Sequence, residues 1–115
     1  MDYKEEFTQL IEENRLDDAR ILLEKHKLYA SEEPFYYGNM GWILNHMERY
    51  QEAEVFLRKG LVYFPEDGWI YFQLGFSLDR QGNIRDGLDA LLKALQLGFD
   101  EPWLHGEIGW CYKEL

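Results

Sequence analysis

The sequence predicts an all-α chain of stacked helical hairpins, and three observations carry that prediction. Residues of like type recur every 34 positions: Tyr3, Tyr37, Tyr71 and His105; Phe7, Gly41, Gly75 and Gly109; Leu10, Leu44, Leu78 and Tyr112. The second half of the unit recurs in the same register, through Ala19, Ala53 and Gly87, Leu23, Leu57 and Leu91, and His26, Gly60 and Ala94. A fixed period of roughly 20–50 residues marks a stacked-repeat architecture. Within one unit the apolar spacing is helical. Tyr37, Met40, Gly41 and Leu44 fall at i, i+3, i+4 and i+7, and Ala53, Leu57, Gly60 and Leu61 mark one face of a second segment. Gly41 and Ala53 are small where two antiparallel helices need close approach. A single hairpin has too little core to stand alone, so neighbours must stack.

In chain order, Tyr3 to about Asn14 is the first expected helix, with Phe7, Leu10 and Ile11 inward. The second runs from Leu16 to about His26 on Ala19, Leu22 and Leu23, and Lys27 to Ala30 could extend it or form loop. Ser31 is a candidate cap for the third, Glu32 and Glu33 suit a positive helix terminus, and Pro34 fits the first turn. This helix runs to about Met47, and the fourth covers Tyr50 to about Phe64. Pro65-Glu66-Asp67-Gly68 is a turn, Trp69 to about Arg80 the fifth helix, and Gln81-Gly82-Asn83 the hairpin loop. The sixth spans Ile84 to about Leu97 and ends at Gly98 as a C-cap. Asp100-Glu101-Pro102 opens the seventh, Trp103 to Leu115.

These residues resemble the tetratricopeptide repeat, whose pattern runs aromatic, Leu, Gly, Tyr, Ala, Phe, Ala, Pro at fixed offsets. The second copy reads Tyr37, Met40, Gly41, Leu44, Ala53, Leu57, Gly60 and Pro65. The third reads Tyr71, Leu74, Gly75, Leu78, Gly87, Leu91, Ala94 and Phe99, departing at the final Pro and the first Ala. The first copy is weaker, with Phe7 and His26 where small residues belong. The resemblance covers essentially the whole chain. It implies a right-handed superhelical solenoid of about three and a half repeats in one domain, with repeats at about 1–33, 34–67 and 68–101 and a half-repeat at 102–115.

That half-repeat would leave some of Trp103, Ile108, Trp110, Tyr112 and Leu115 facing water, whereas solenoid ends normally carry a polar outer face. Two expectations follow. Either the chain is a piece of a longer array, or the helix is a natural cap that packs on the third repeat or on a second copy. A homodimer through Trp103–Leu115 is the form the latter takes.

Composition narrows the function. The chain has 115 residues, 46% hydrophobic and 17% aromatic, enough for a core without staples. A net charge of −10 argues against nucleic acid and anionic membrane as partners. The single Cys111 makes no internal disulfide, the N-terminus lacks an apolar signal core, and no apolar run approaches the ~20 residues that span a bilayer. A cytoplasmic protein is expected.

Little points to chemistry. His26, His46 and His105 share no ligand spacing, and His26 and His105 fall at packing positions. Cys111 and His105 are six apart on one helix and make no nucleophile–base pair; a buried apolar thiol is expected. Adjacent carboxylates such as Glu12 and Glu13 do not face each other on a helix. Gly75-Phe76-Ser77 lacks the second glycine of a nucleophile elbow and lies within a helix. No phosphate loop or metal-ligand cluster stands out, so no enzyme, cofactor or metal is expected.

The resemblance also implies a binding surface, since the first helix of each hairpin lines the concave face of such solenoids. Its second, fifth, ninth and twelfth residues would face a guest. The ninth positions give Thr8, Trp42, Phe76 and Trp110, the last three an aromatic ladder off the core stripe; the second give Met1, Phe35, Trp69 and Trp103; the fifth give Lys4, Gly38, Phe72 and Gly106; the twelfth give Ile11, Asn45, Asp79 and Lys113. Aromatics not needed by the core are frequent binding anchors, although here they could simply pack between repeats. Gly38 and Gly106 would leave pockets beside them. The expected site is Phe35, Trp42, Asn45, His46, Trp69, Phe72, Phe76, Asp79, Arg80 and Trp110, with the polar members as selectors and a protein or peptide segment as guest. The family's carboxylate clamp for acidic chaperone tails is a poor match. Lys4 and Asn39 fit it, but Thr8, Trp69 and Gln73 stand where Asn, Lys and Arg belong.

Overall fold

A computed structural model describes residues 2–27 and 33–115. Among them are seven helices and no strand: α1 (Tyr3–Glu12), α2 (Leu16–Lys25), α3 (Pro34–His46), α4 (Tyr50–Tyr63), α5 (Gly68–Arg80), α6 (Ile84–Gln96) and α7 (Pro102–Glu114). Successive helices pair as hairpins α1–α2, α3–α4 and α5–α6, and α7 packs on α6 and α5. The stack measures 43 × 26 × 24 Å. The expected Ser31 cap lies outside the described residues. Pro34 occupies the first turn of α3 as expected, and Glu33 at its N-cap makes no side-chain cap bond. Asp2 and Asp67 do cap α1 and α5, accepting from the amides of Glu5 and Ile70 at 2.9 Å.

One turn geometry joins the two halves of every hairpin. The backbone is left-handed at Asn14 (φ 58°), Glu48 (φ 60°) and Gly82 (φ 90°), one repeat apart. At each, the next amide reaches back to a carbonyl in the last turn of the helix: Arg15 to Leu10, Arg49 to Leu44 and Asn83 to Leu78, all at 2.8–2.9 Å. These are Schellman closures, and Gly98 (φ 94°) ends α6 the same way through Phe99 N–H to Ala94 at 3.0 Å. Glycine meets this conformation without strain at 82 and 98; Glu48 does not.

Hairpin packing follows the small residues. A Cβ built on Gly41 would lie 2.3 Å from Leu57, and one on Gly75 2.7 Å from Leu91. Both leucines are fully buried, so each glycine is the notch that lets its two helices close on a leucine. The odd-numbered helices α3 and α5 are covered on several sides, burying eight residues each, while α4 buries only Ala53, Leu57 and Gly60. Inner helices therefore line the solenoid, and outer helices form a one-sided cover.

Candidate binding cleft

The inner helices present a cleft of about 420 Å³. Phe7 and Ile11 of α1, Asn39, Trp42, Asn45 and His46 of α3, Trp69, Phe72, Gln73 and Phe76 of α5, and Trp103 of α7 line it. No Asp, Glu, Lys or Arg is among these residues. Register explains the aromatic content: Trp42 and Phe76 are equivalent residues one repeat apart, as are Trp69 and Trp103.

Two of the wall tryptophans are braced by a neighbour. The Trp42 ring lies 3.9 Å from that of His46, whose Nδ1 is 3.0 Å from the Trp42 carbonyl oxygen. The Trp69 indole lies across Gly38, where a Cβ would come within 2.2 Å of it. The pocket expected at Gly38 is thus filled by Trp69. At Gly106 the space is open, with nothing within 4 Å of a Cβ. Trp103, whose fifth-position neighbour is Phe72 rather than glycine, remains 55% exposed. Phe72 itself is buried beside Phe99, ring centres 5.4 Å apart.

The floor is polar and satisfied. Asn45 is 2% exposed and donates to the Gln73 backbone oxygen (3.2 Å) and side-chain oxygen (3.3 Å), while Ser77 Oγ donates to Asn45 Oδ1 at 2.6 Å. This chain ties α3 to α5 beneath the aromatics, and leaving any member unpaired there is costly. Gln73, which sequence reasoning considered only as a missing cation, is its hinge.

Six of the ten expected residues meet at the cleft: Trp42, Asn45, His46, Trp69, Phe72 and Phe76. Phe35 lies apart, packed edge-on to Tyr3 and Phe7 with the Lys4 ammonium 5.2 Å above its ring. The ladder is interrupted before Trp110. Between it and Phe76 lies the Arg80 guanidinium, 4.3 Å from the Phe76 ring centre and 5.0 Å from that of Trp110. Arg80 also donates to both oxygens of Glu107, at 3.2 and 3.3 Å, so it is held rather than free to select a guest.

Asp79 departs furthest from expectation. It is 3% exposed and turned away from the cleft into the junction of α5, α6 and α7. Gly87 makes the room: a Cβ there would lie 1.8 Å from Asp79 Oδ1. Cys111 donates its S–H to Oδ2 at 3.1 Å, and Oδ1 has no hydrogen-bond partner. Burial first, then the Glu107 carboxylate beside it, push the Asp79 carboxyl up to about 7. Burial and the same two carboxylates push the Cys111 thiol up to about 12, which removes it as a nucleophile. The thiol is buried as expected, in the apolar cluster of Phe72, Leu91 and Leu104, with the Asp79 carboxyl as its one polar contact among the described residues. Asp79, Glu107 and Cys111 also form a cluster of potential metal ligands, with one atom of each within 4.8 Å, that the sequence did not reveal. Arg80 already takes both Glu107 oxygens, which competes with a cation there. His105, expected to pack, is exposed and pairs with Asp100. His26 is half-buried at the end of α2, stacked on Tyr3 at 4.8 Å.

No family model matches the sequence, and curated proteins give no sequence match either. Comparison of folds is decisive. The first repeat domain of Spaghetti (RPAP3), solved with the HSP90 peptide SRMEEVD, superposes with a TM-score of 0.89 at 12% identity over 97% of this chain and 89% of that one. The Arabidopsis OM64 TPR domain gives 0.88 at 14% identity, over 98% and 93%. The chain has the tetratricopeptide-repeat fold. The type III secretion chaperone SycD of Yersinia enterocolitica, in complex with a peptide of the translocator YopD, is another relative in shape. It gives a TM-score of 0.84 at 13% identity, over 97% and 91% of the two chains. In this repeat domain no helix among the described residues is long and apolar enough to cross a membrane.

Proposed function

We propose that this repeat domain is an interaction module, not an enzyme, that holds a segment of a partner protein in the cleft between α1, α3, α5 and α7. The observation that carries the reading is the cleft wall, where Trp42 and Trp69, packed against the core, join Phe76 and Trp103 over a hydrogen-bonded floor. Rigid aromatic anchors in a preformed hollow are the usual source of binding energy at protein interfaces. Repeat domains of the same fold solved with HSP90 and YopD peptides lend support. The guest here differs from an EEVD-type acidic tail. Lys4, one of two residues that match the carboxylate clamp, is paired with Glu33, and Trp69 and Gln73 stand at the positions of the third-repeat cations.

Trp42→Ala and Phe76→Ala test the reading. Partner capture from a peptide library should be lost in both with helicity retained by circular dichroism. Undiminished capture by both variants would remove the cleft as the site.

A second reading has its own observation. On α7, Trp103, Tyr112 and Leu115 are 54–60% exposed, and the Gly109 notch, whose counterparts Gly41 and Gly75 each receive a leucine, is open. Association of two copies through this face would cover it. Molar mass against concentration decides: a dimer that Trp110→Lys dissociates supports this assembly, and a concentration-independent 13.8 kDa species excludes it.

A further inference from the structure

We propose that the anchor taken by the cleft is a cationic side chain, Arg or Lys, carried on an otherwise uncharged partner segment; this rests on the cleft being the binding site. On either side of the cleft the chain itself supplies a cation for an aromatic, Phe35 on one side and Phe76 with Trp110 on the other. Lys4 sits over Phe35 at 5.2 Å, and Arg80 is sandwiched between Phe76 and Trp110 at 4.3 and 5.0 Å. In the middle the pattern breaks. Trp42, Trp69 and Trp103 line an open hollow with no Lys or Arg among its lining residues.

Two physical terms favour a cation there. The aromatic face is the negative pole of the ring quadrupole, and a desolvated cation over tryptophan gains more than one over any other ring. The chain's net charge is −10, and the two flanking cations are already neutralised by Glu33 and Glu107. The field reaching the hollow is therefore that of an acidic protein, focused by low-dielectric walls, and it concentrates positive guests. An acidic side chain would meet the same field with the opposite sign and find no Lys or Arg among the lining residues. Carboxamides remain for the guest backbone. Asn39 and Gln73 both line the cleft; the Asn39 amide already donates to the Phe35 carbonyl oxygen at 2.9 Å, which leaves its side-chain oxygen, while the Gln73 amide nitrogen makes no bond among the described residues.

The test is selection of a random dodecapeptide library, displayed on phage, against the immobilised full chain at low ionic strength. Selected peptides should share an Arg or Lys, and replacing that residue by Gln should raise Kd about tenfold or more, the scale of a desolvated cation–aromatic contact. Affinity should fall as salt rises. Trp103→Ala, at a position 55% exposed, should lose binding alongside Trp42→Ala with helicity retained. Selected peptides that bind through neutral side chains, or that tolerate Arg→Gln without change, overturn the cation while leaving the cleft in place if Trp103→Ala still abolishes binding. Peptides that bind wild type, Trp42→Ala and Trp103→Ala equally, or a library that yields no binder, overturn the cleft and the cation together.

Discussion

Replacing Asp79 by Asn should make the protein more stable above neutral pH and flatten its pH dependence. The carboxyl sits 3% exposed between α5, α6 and α7, one oxygen on the Cys111 thiol and the other without a donor, beside the Glu107 carboxylate and Arg80. Its native value near 7, against 3.8 when free, means that the folded chain holds the proton more tightly than the unfolded one. That contribution is complete below the free value and is lost as pH rises through about 7. At about 1.4 kcal/mol per unit the whole shift is worth roughly 4 kcal/mol, and about 2–3 kcal/mol of it disappears between pH 5 and 8. The Glu107 carboxylate is, after burial, the next cause of the raised Asp79 value, so Glu107→Gln should show part of the same effect. Urea denaturation of wild type and Asp79→Asn at half-unit steps across this range isolates the term, because titrating groups that do not interact with Asp79 cancel in the difference. The substituted carboxamide stays neutral throughout, so the variant should gain on wild type by about 2 kcal/mol as pH rises. A difference that does not change from pH 5 to 8 would refute the buried-proton account.

The remaining predictions follow from packing and backbone. Gly38→Ala drives a Cβ to 2.2 Å from the Trp69 ring and should cost about 1–3 kcal/mol in chemical denaturation, with a shift in tryptophan emission as the indole leaves its notch. Leu57→Ala empties the fully buried contact with Gly41 and should cost about 2–5 kcal/mol by the same measurement. Glu48→Gly relieves a left-handed residue (φ 60°) at the cost of a more flexible unfolded chain; a net gain of about 0.5–1 kcal/mol should raise Tm by a few degrees. Asn14→Gly, at the equivalent turn, should gain less because Asn tolerates this conformation.

Much of the fold was legible because its rules are local and repeat. Helix ends fell within two residues of expectation, since Pro34, Asp67, Gly82 and Gly98 each act on their own turn. The Gly41–Leu57 closure could be read from small and large residues in register. The equivalent turns at Asn14 and Glu48 were visible as position but not as conformation, because neither residue type demands positive φ. The cleft was legible only in outline. Trp42, Trp69 and Phe76 project where the repeat register puts them, but whether a pocket survives depends on neighbours one repeat away, as Trp69 filling the space at Gly38 illustrates. Asp79 shares that register with Asn45, and only the absence of a side chain at Gly87 turns it into the α6–α7 junction. His105 occupies the place of Tyr37, yet Tyr37 is covered by Tyr63 and Phe64 at the end of α4, and among the described residues α7 has no such neighbour. Apart from the turn conformations at Asn14 and Glu48, these misses concern contact between residues distant in sequence.

The four tryptophans provide the most direct test of the binding site, since each gives one indole N–H resonance. A heteronuclear correlation spectrum, recorded as a selected peptide is added, follows all of them at once. Trp42, Trp69 and Trp103 should shift together and saturably, while Trp110, screened behind Arg80, should scarcely move. Shifts confined to Trp110, or indole resonances that ignore the peptide and respond only to protein concentration, would contradict the cleft.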